Sequence, residues 1–137
     1  MPQTGNMRIA IKSFAMGDGI PPSVDFWGGV YMFDCRMLPD PYWDENLRDG
    51  SGLDEGVKDF FAKHAEEVGT FLEPVEAVVR RALTTAGEAE WETITVLFAC
   101  VGGRHRSVYC AERLADQLKD VKGVEIDVEH CARKNWR

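Results

Sequence analysis

The residues best suited to chemistry form one short stretch between a predicted strand and a predicted helix. The stretch consists of Val101, Gly102, Gly103, Arg104, His105, Arg106 and Ser107. Glycines let backbone N–H groups converge on an anion at a helix N-terminus, and arginine binds phosphate oxygens through two hydrogen bonds. Ser107 suits a helix N-cap or a further phosphate donor. We therefore expect an oxyanion site here, most plausibly for a phosphate; the alternative is a turn whose basic side chains are merely solvated.

A second pattern overlaps this loop and suggests a reaction. Cys100, five residues, then Arg106 and Ser107 is similar to the Cys-x5-Arg-Ser loop of cysteine-dependent phosphatases. That chemistry needs a thiolate at the base of a phosphate cradle and a general acid on another loop. Asp40, which lies between two prolines, is the candidate acid. The alternative is that Cys100 is the last buried residue of a strand and is inert.

Further candidate ligands lie in the segment from residue 34 to residue 48. Arg36 could bind the anion or simply pair with Asp34, and Arg48 is either a second anion ligand or a surface residue. Tyr42 and Trp43 could form a wall for a sugar ring, although a loop tryptophan often only seals a small core. Arg36, Asp40 and Tyr42 are expected to line the side of the site opposite the glycine loop.

Periodicity predicts the elements that position these residues. Alternating or continuous apolar runs predict strands at 7–15, 30–37, 93–100 and 124–130. Helical spacing predicts helices at 53–64, 65–86 and 107–120, with Pro74 as a possible break and Gly87 as the end of the second. The order favours one compact α/β domain over residues 1–137, with a small mixed or parallel sheet of about four strands flanked by helices. Ligands of such sheets bind at the carboxyl ends of the strands.

Composition excludes several classes of protein. The 137 residues carry a net charge of −7, which argues against coating nucleic acid by bulk electrostatics. The charge is uneven: residues 1–103 have 8 basic against 17 acidic side chains, and residues 104–137 have 8 against 6. There is no Walker A motif, no apolar run long enough for a membrane span and no secretion signal, so we expect a cytoplasmic protein. The four cysteines have no metal-ligand spacing, and we expect reduced thiols and no bound metal.

Several blocks of sequence together resemble one known family. They are S-F at 13–14, G-I-P at 19–21, D-C-R-M-L-P-D-P-Y-W at 34–43, L-R at 47–48, G-L-D at 52–54 and C-V-G-G-R-H-R-S-V-Y at 100–109. In that order they resemble the C-terminal domain of the RapZ family of bacterial RNase adaptor proteins, over nearly the whole chain. Full-length members of that family also carry an N-terminal Walker A domain, so the similarity is to their C-terminal half alone.

The resemblance implies a function for the chain. In that family the C-terminal domain senses glucosamine-6-phosphate and binds small regulatory RNAs, and its members are oligomers. It implies a phosphorylated small-molecule ligand without a cofactor, an RNA or protein partner, and a homo-oligomer. The phosphate-facing loop is retained, with Arg104 for the family's lysine and Val101 for a threonine. Tyr42 replaces a histidine and Asp40 an asparagine, while the basic C-terminal tail is matched by Arg133, Lys134 and Arg137.

Overall fold

Four parallel strands form the centre of the molecule. The structure is a computed structural model that describes residues 7–137. Its strands are β1 (Met7–Ala15), β2 (Val30–Asp34), β3 (Thr93–Cys100) and β4 (Val124–His130), in the spatial order β2-β3-β1-β4. Ala15 pairs with Cys100, Ser13 with His130 and Asp34 with Ala99, so all four carboxyl ends meet at one edge. The predicted α/β class is confirmed, and the sheet is parallel.

Three helices supply most of the core on one face of this sheet. They are α1 (Glu55–Ala62), α2 (Ala65–Ala89) and α3 (Arg106–Leu118). Their apolar stripes pack on side chains such as Ile9, Ile11 and Val96, which are fully buried. Phe14, Leu97 and Ala99 form a second, smaller cluster with Val24 from the loop after β1. Helices thus contribute to one cluster only, and a loop residue completes the other.

Two element boundaries differ from the sequence prediction by three residues, whereas those of α1 and α3 differ by two residues or fewer. Strand β2 stops at Asp34 because that carboxylate accepts a hydrogen bond from the N–H of Arg36 and turns residues 35–37 into a 3-10 turn. Helix α2 continues through Pro74 and Gly87, where an end was expected, and terminates only where Glu90 adopts the left-handed conformation at φ 60°. Trp91 then donates its N–H to the Ala86 carbonyl, which closes the helix end.

Short 3-10 turns supply several of the loops at the carboxyl edge of the sheet. Besides residues 35–37, they comprise Met16–Asp18, Pro41–Trp43 and Arg133–Asn135. Within the described part of the chain, no helix has the length and apolarity needed to cross a membrane. Residues 1–6, on which the expectation of no secretion signal partly rests, lie outside the described residues.

Candidate functional site

A cleft of about 600 Å³ opens at the carboxyl end of β3, beside the N-terminus of α3. Three segments distant in sequence line it: the loop of residues 40–49, the β3–α3 loop of residues 100–106, and the C-terminal residues 135–136. The lining residues are Asp40, Tyr42, Trp43, Arg48, Asp49, Cys100, Val101, Gly102, Arg104, His105, Arg106, Asn135 and Trp136. The structure therefore brings most of the predicted site residues together.

The β3–α3 loop turns at Gly103, where only glycine fits. Its φ is +61°, and a Cβ there would lie 2.7 Å from the Ala15 nitrogen and 2.8 Å from the Phe14 carbonyl carbon. The backbone of β1 therefore presses directly on this residue. Gly102 differs, because a Cβ on it would meet nothing within 4 Å. Gly103 sets the path of the loop, whereas Gly102 leaves open space at the cleft.

Arg106 is the buried cation of the site. The residue is 7% exposed, and its guanidinium lies 3.2 Å from the Asp40 carboxylate. Its Nη1 donates to the Arg36 carbonyl at 3.0 Å and to the Leu38 carbonyl at 3.3 Å. Its Nε is buried and has no hydrogen-bond partner among the described residues. One donor of a buried cation is therefore left unsatisfied beside the cleft, which is uncommon in folded proteins.

Arg104 holds three segments of backbone together. Its Nε donates to the Gly50 carbonyl at 2.6 Å, and its Nη2 donates to the carbonyls of Asp49 and Arg137, the latter at 2.6 Å. These acceptors are main-chain oxygens, and Arg104 makes no salt bridge with any described side chain. The guanidinium therefore lies at the rim of the cleft without a side-chain counter-ion among the described residues.

The N-terminus of α3 differs from the sequence prediction in its capping residue. His105, not Ser107, occupies the N-cap position, and Ser107 is fully buried in the first turn. The Ser107 Oγ lies 3.1 Å from the Cys100 Sγ. The buried hydroxyl therefore has its hydrogen-bond partner at the junction of β3 and α3 rather than at the helix N-terminus. The expected N-cap role of Ser107 is therefore wrong.

His105 fixes the loop of residues 47–52 against α3. Its Nε2 lies 3.0 Å from the Leu47 carbonyl, which makes this nitrogen the protonated donor. Burial lowers the pKa of the imidazole below its ordinary value of 6.5, although the hydrogen bond to Leu47 opposes this. Gly52 also packs closely here, because a Cβ on it would lie 2.5 Å from the Tyr109 nitrogen. The neutral ring serves to position the loop.

Arg36 does not line the cleft. Its Nε and Nη2 hold the Asp34 carboxylate in a bidentate ion pair at 2.7 to 3.0 Å, one of the two roles expected from the sequence. The hydrogen bonds from Arg36 lower the pKa of Asp34. Arg36 reaches the site through its backbone carbonyl, which accepts from Arg106. Gly103 and Ser107 also lie outside the cleft lining, although both shape it.

Aromatic side chains form the rim of the cleft. Trp43 is 77% exposed and packs edge-on against Tyr42, with ring centroids 5.2 Å apart. The Arg48 guanidinium lies over the Tyr42 ring at 4.8 Å and donates from Nε to the Tyr42 carbonyl. Trp136 donates its Nε1 proton to the Gly103 carbonyl at 3.2 Å. A ligand ring that carries polar substituents could pack its face against these aromatic side chains.

Sequence reasoning missed Asp49, Asn135 and Trp136 as cleft residues. No local motif marks them: Asp49 lies in a loop, and the other two lie beyond the last strand. The nearest signal is the basic C-terminal tail, because Arg133 and Lys134 immediately precede Asn135 and Trp136. Among the described residues, no group of three or more His, Cys, Asp or Glu side chains is arranged to hold a metal ion.

Comparison with known proteins places this architecture in a family. The model of the RapZ C-terminal domain matches residues 7–134. A nucleotide-binding protein of Shewanella halifaxensis is 37% identical over 129 residues, which cover 94% of this chain and 43% of that protein. A nucleotide-binding protein of Acinetobacter baumannii is 35% identical over 134 residues, 98% of this chain and 44% of its own length. One from Saccharophagus degradans is 39% identical over 117 residues, with coverages of 85% and 38%. The chain spans about two fifths of the length of these relatives, and it belongs to the RapZ C-terminal domain family.

Proposed function

We propose that this chain is a regulatory binding domain that takes a phosphorylated small molecule, such as an amino-sugar phosphate, in the 600 Å³ cleft. The observation that carries the proposal is Arg106. Its buried Nε–H has no partner among the described residues, yet its guanidinium lines the cleft at the N-terminus of α3. A phosphate in the cleft would bring a second counter-charge close to this guanidinium and benefit from the positive potential of the helix end.

The charge balance of the cleft supports an anionic ligand. Three arginines line the cleft, and among the described residues only Arg106 pairs with a side-chain carboxylate, that of Asp40. Arg48 and Arg104 donate to main-chain carbonyls instead. Although the whole chain carries −7, the cleft presents cationic groups whose charge no described side chain neutralises. A phosphate would supply the missing counter-charge.

The aromatic rim supports a ring attached to that phosphate. Tyr42 and Trp43 are exposed at 46% and 77%, and both line the cleft beside Arg48. The apolar face of a sugar packs well on such rings, while the carboxylates of Asp40 and Asp49 can accept hydrogen bonds from hydroxyl or ammonium groups. These features favour an amino-sugar phosphate over inorganic phosphate alone.

Thermal stabilisation and calorimetry test this proposal. Glucosamine-6-phosphate, glucose-6-phosphate, glucosamine and inorganic phosphate would be compared on the same protein. We expect the phosphorylated compounds to raise Tm and glucosamine to leave it unchanged, because only a bound ligand stabilises the folded state. Arg48→Ala should weaken phosphosugar binding about fivefold or more, a loss of about 1 kcal/mol. Arg81→Ala, an exposed arginine of α2, is the matched control. No stabilisation by any phosphorylated compound would overturn the proposal.

A cysteine-dependent phosphatase is the alternative, and one observation favours it. Cys100 lines the cleft, and its Sγ lies within hydrogen-bonding distance of both the Oγ and the N–H of Ser107. The expected acid, Asp40, is instead engaged as a carboxylate in the ion pair with Arg106. Turnover of an aryl phosphate that disappears in Cys100→Ser would establish the phosphatase. Binding without turnover would exclude the phosphatase and support the regulatory binding domain.

The proposal keeps the partners and location expected from the sequence. These are a cytoplasmic setting, self-association, and RNA or protein contact through Arg133, Lys134 and Arg137, all of which are exposed. Self-association would cover exposed aromatic residues such as Trp27, which is 92% exposed. Sedimentation analysis of the unsubstituted chain and of Trp27→Ser tests this directly. A single monomeric species at high micromolar concentration would exclude a homo-oligomer of this domain.

A further inference from the structure

The last residues of the chain form a strap along the cleft. We define the C-terminal strap as residues 133–137, which begin with the 3-10 turn Arg133–Asn135. Asn135 and Trp136 line the 600 Å³ cleft, while the other strap residues are exposed. What holds this strap in place therefore decides how open the cleft is.

The root of the strap is firmly anchored. His130 links three elements, because its Nδ1 lies 2.7 Å from the Ser13 Oγ of β1 and its Nε2 lies 2.8 Å from the Glu112 carboxylate of α3. The N–H of Cys131 then donates to the Ser13 carbonyl at 2.8 Å, and Ala132 is buried. The chain is thus fixed as far as Ala132.

Apart from the turn hydrogen bond of the Asn135 N–H to Ala132 and a ring contact between Trp136 and His130, two hydrogen bonds join the strap to the rest of the described chain. Trp136 Nε1 donates to the Gly103 carbonyl at 3.2 Å, and Arg104 Nη2 donates to the Arg137 carbonyl at 2.6 Å. Both partners belong to the β3–α3 loop, which is also the predicted phosphate loop. The strap and a bound anion would therefore depend on the same loop.

The strap also has space to move. On its other side lies a second cavity, of about 340 Å³, bounded by the loop after β1. Its lining residues are Phe14, Asp18, Gly19, Pro21, Pro22, Cys131, Ala132, Lys134 and Asn135. Asn135 lines both cavities, so the strap is a thin partition between them. A thin segment with a fixed root and cavities on both sides can change position without disturbing the core.

A bound phosphate would compete for the residue that clasps the strap. Arg104 donates to single main-chain oxygens, whereas a phosphate offers several anionic oxygens that a guanidinium can bind in a bidentate manner. We infer that Arg104 is a clasp: phosphate in the cleft draws its guanidinium from the Arg137 carbonyl and releases the strap. This inference deepens the proposed function and, in its ligand-dependent part, rests on it. It gives the domain a means to convert ligand occupancy into a change at the surface that carries Arg133 and Lys134.

Hydrogen–deuterium exchange tests the clasp without any ligand. The N–H groups of Asn135 and Trp136 are hydrogen-bonded in the local 3-10 turn, to the carbonyls of Ala132 and Arg133, so we expect their exchange to report release of the strap. Arg104→Ala should accelerate their exchange about tenfold or more, while the amides of β3 exchange as before. Arg81→Ala, which changes an exposed arginine of α2 outside the cleft, should leave the exchange at Asn135 and Trp136 unchanged. Trp136→Phe, which removes the other hydrogen bond, should also accelerate exchange. Unchanged exchange in Arg104→Ala would overturn the inference.

A second arm adds ligand to the unsubstituted protein. Inorganic phosphate and glucosamine-6-phosphate would each be used at saturation, with binding measured separately by calorimetry. We expect faster exchange at Asn135 and Trp136, and a smaller effect in Arg104→Ala, whose strap is already released. Binding with unchanged or slower strap exchange would overturn the coupling and leave the proposed function intact. Absence of binding by both probes would overturn the proposed function and the coupling together, and the Arg104→Ala result would still decide whether Arg104 holds the strap.

Discussion

At the scale of single residues, the ion pair between Arg106 and Asp40 bears most directly on the proposed phosphate site. Their ion pair is largely enclosed, with side-chain exposures of 8% and 24%, and a phosphate would share the guanidinium with the carboxylate. Two negative groups on one cation repel each other when they are poorly solvated. Asp40 therefore stabilises the empty site and opposes the occupied one.

Asp40→Asn is expected to lower the stability of the domain and to raise its affinity for phosphate. Loss of the carboxylate should lower the free energy of unfolding by about 1–3 kcal/mol, since the partly buried guanidinium loses its counter-ion. The same change should tighten inorganic phosphate binding about three- to tenfold, because the competing charge is gone. Urea unfolding and calorimetry measure the two effects. Asp49→Asn, in the same cleft but without an ion pair to Arg106, is the control; equal affinity in all three proteins would contradict this account.

His105 is expected to make stability depend on pH. Because burial places its folded-state pKa below the ordinary 6.5, the unfolded chain takes up this proton first as the pH falls. The free energy of unfolding should therefore decrease from pH 7.5 towards pH 5.5, with the contribution fully present above the unfolded-state pKa. Urea titrations across this window should show a shallower decrease for His105→Gln. A decrease in His105→Gln that is as steep as in the unsubstituted chain would refute the assignment.

At the scale of elements, the β3–α3 loop depends on close contact with β1. Gly103 lies against the backbone of Phe14 and Ala15, and Ala132 after β4 closes on it from another side, with its Cβ 2.9 Å from where a Gly103 Cβ would be. Three elements therefore meet at one glycine. The shape of the cleft follows from this contact more than from any one ligand side chain.

Gly103→Ala is expected to destabilise the domain strongly. The added Cβ would lie under 3.0 Å from backbone atoms at a φ of +61°, so strand or loop must shift, and we expect a loss of at least about 2 kcal/mol. Gly102→Ala meets nothing within 4 Å and should change stability by less than about 1 kcal/mol. Urea unfolding of both variants provides the comparison. Similar losses at the two positions would show that the contact with β1 is unimportant.

At the scale of the whole molecule, a group of positively charged side chains lies at the carboxyl edge of the sheet. The chain carries −7, yet the cleft arginines and the basic residues of the C-terminal strap gather at the carboxyl edge of the sheet. A compact group of cations within an acidic protein suits one small anion better than a long polyanion. We therefore expect RNA binding through the strap to be weak and strongly salt-dependent.

Salt dependence measures this partner directly. Three phosphate contacts from Arg133, Lys134 and Arg137 predict a log–log slope of about −2, so affinity for a structured RNA should fall roughly 20-fold between 50 and 200 mM salt. Fluorescence anisotropy of a labelled RNA gives the slope. Simultaneous replacement of the three residues by alanine should abolish binding, whereas Arg80→Ala, Arg81→Ala and Lys119→Ala together should not. No anisotropy change at low salt would exclude the strap as an RNA site.

The elements of this fold were predictable because their signals are local. Alternation at 7–15 and the continuous apolar run at 93–100 predict the bounds of β1 and β3 to the residue, and the Gly-Gly-Arg-His-Arg order identifies the loop between β3 and α3. The predicted ends of β2 and α2 were wrong, because hydrogen bonds rather than the apolar pattern decide where these two elements end. Asp34 ended β2 by accepting a hydrogen bond from the Arg36 N–H. Helix α2 ends at the left-handed residue Glu90, where the Trp91 N–H donates to the Ala86 carbonyl.

Sequence by itself determined the fold class, the position of the β3–α3 loop and the family that its motifs resemble, because each depends on residues close together in the chain. Only the tertiary structure decided the roles within the cleft. It showed that Arg36 pairs with Asp34, that Arg104 reaches the Arg137 carbonyl 33 residues away, and that Trp136 lines the cleft. The physical reason is that a hydrogen bond or a cleft wall depends on which backbone atoms the parallel sheet brings to one edge, and no local spacing encodes that distance.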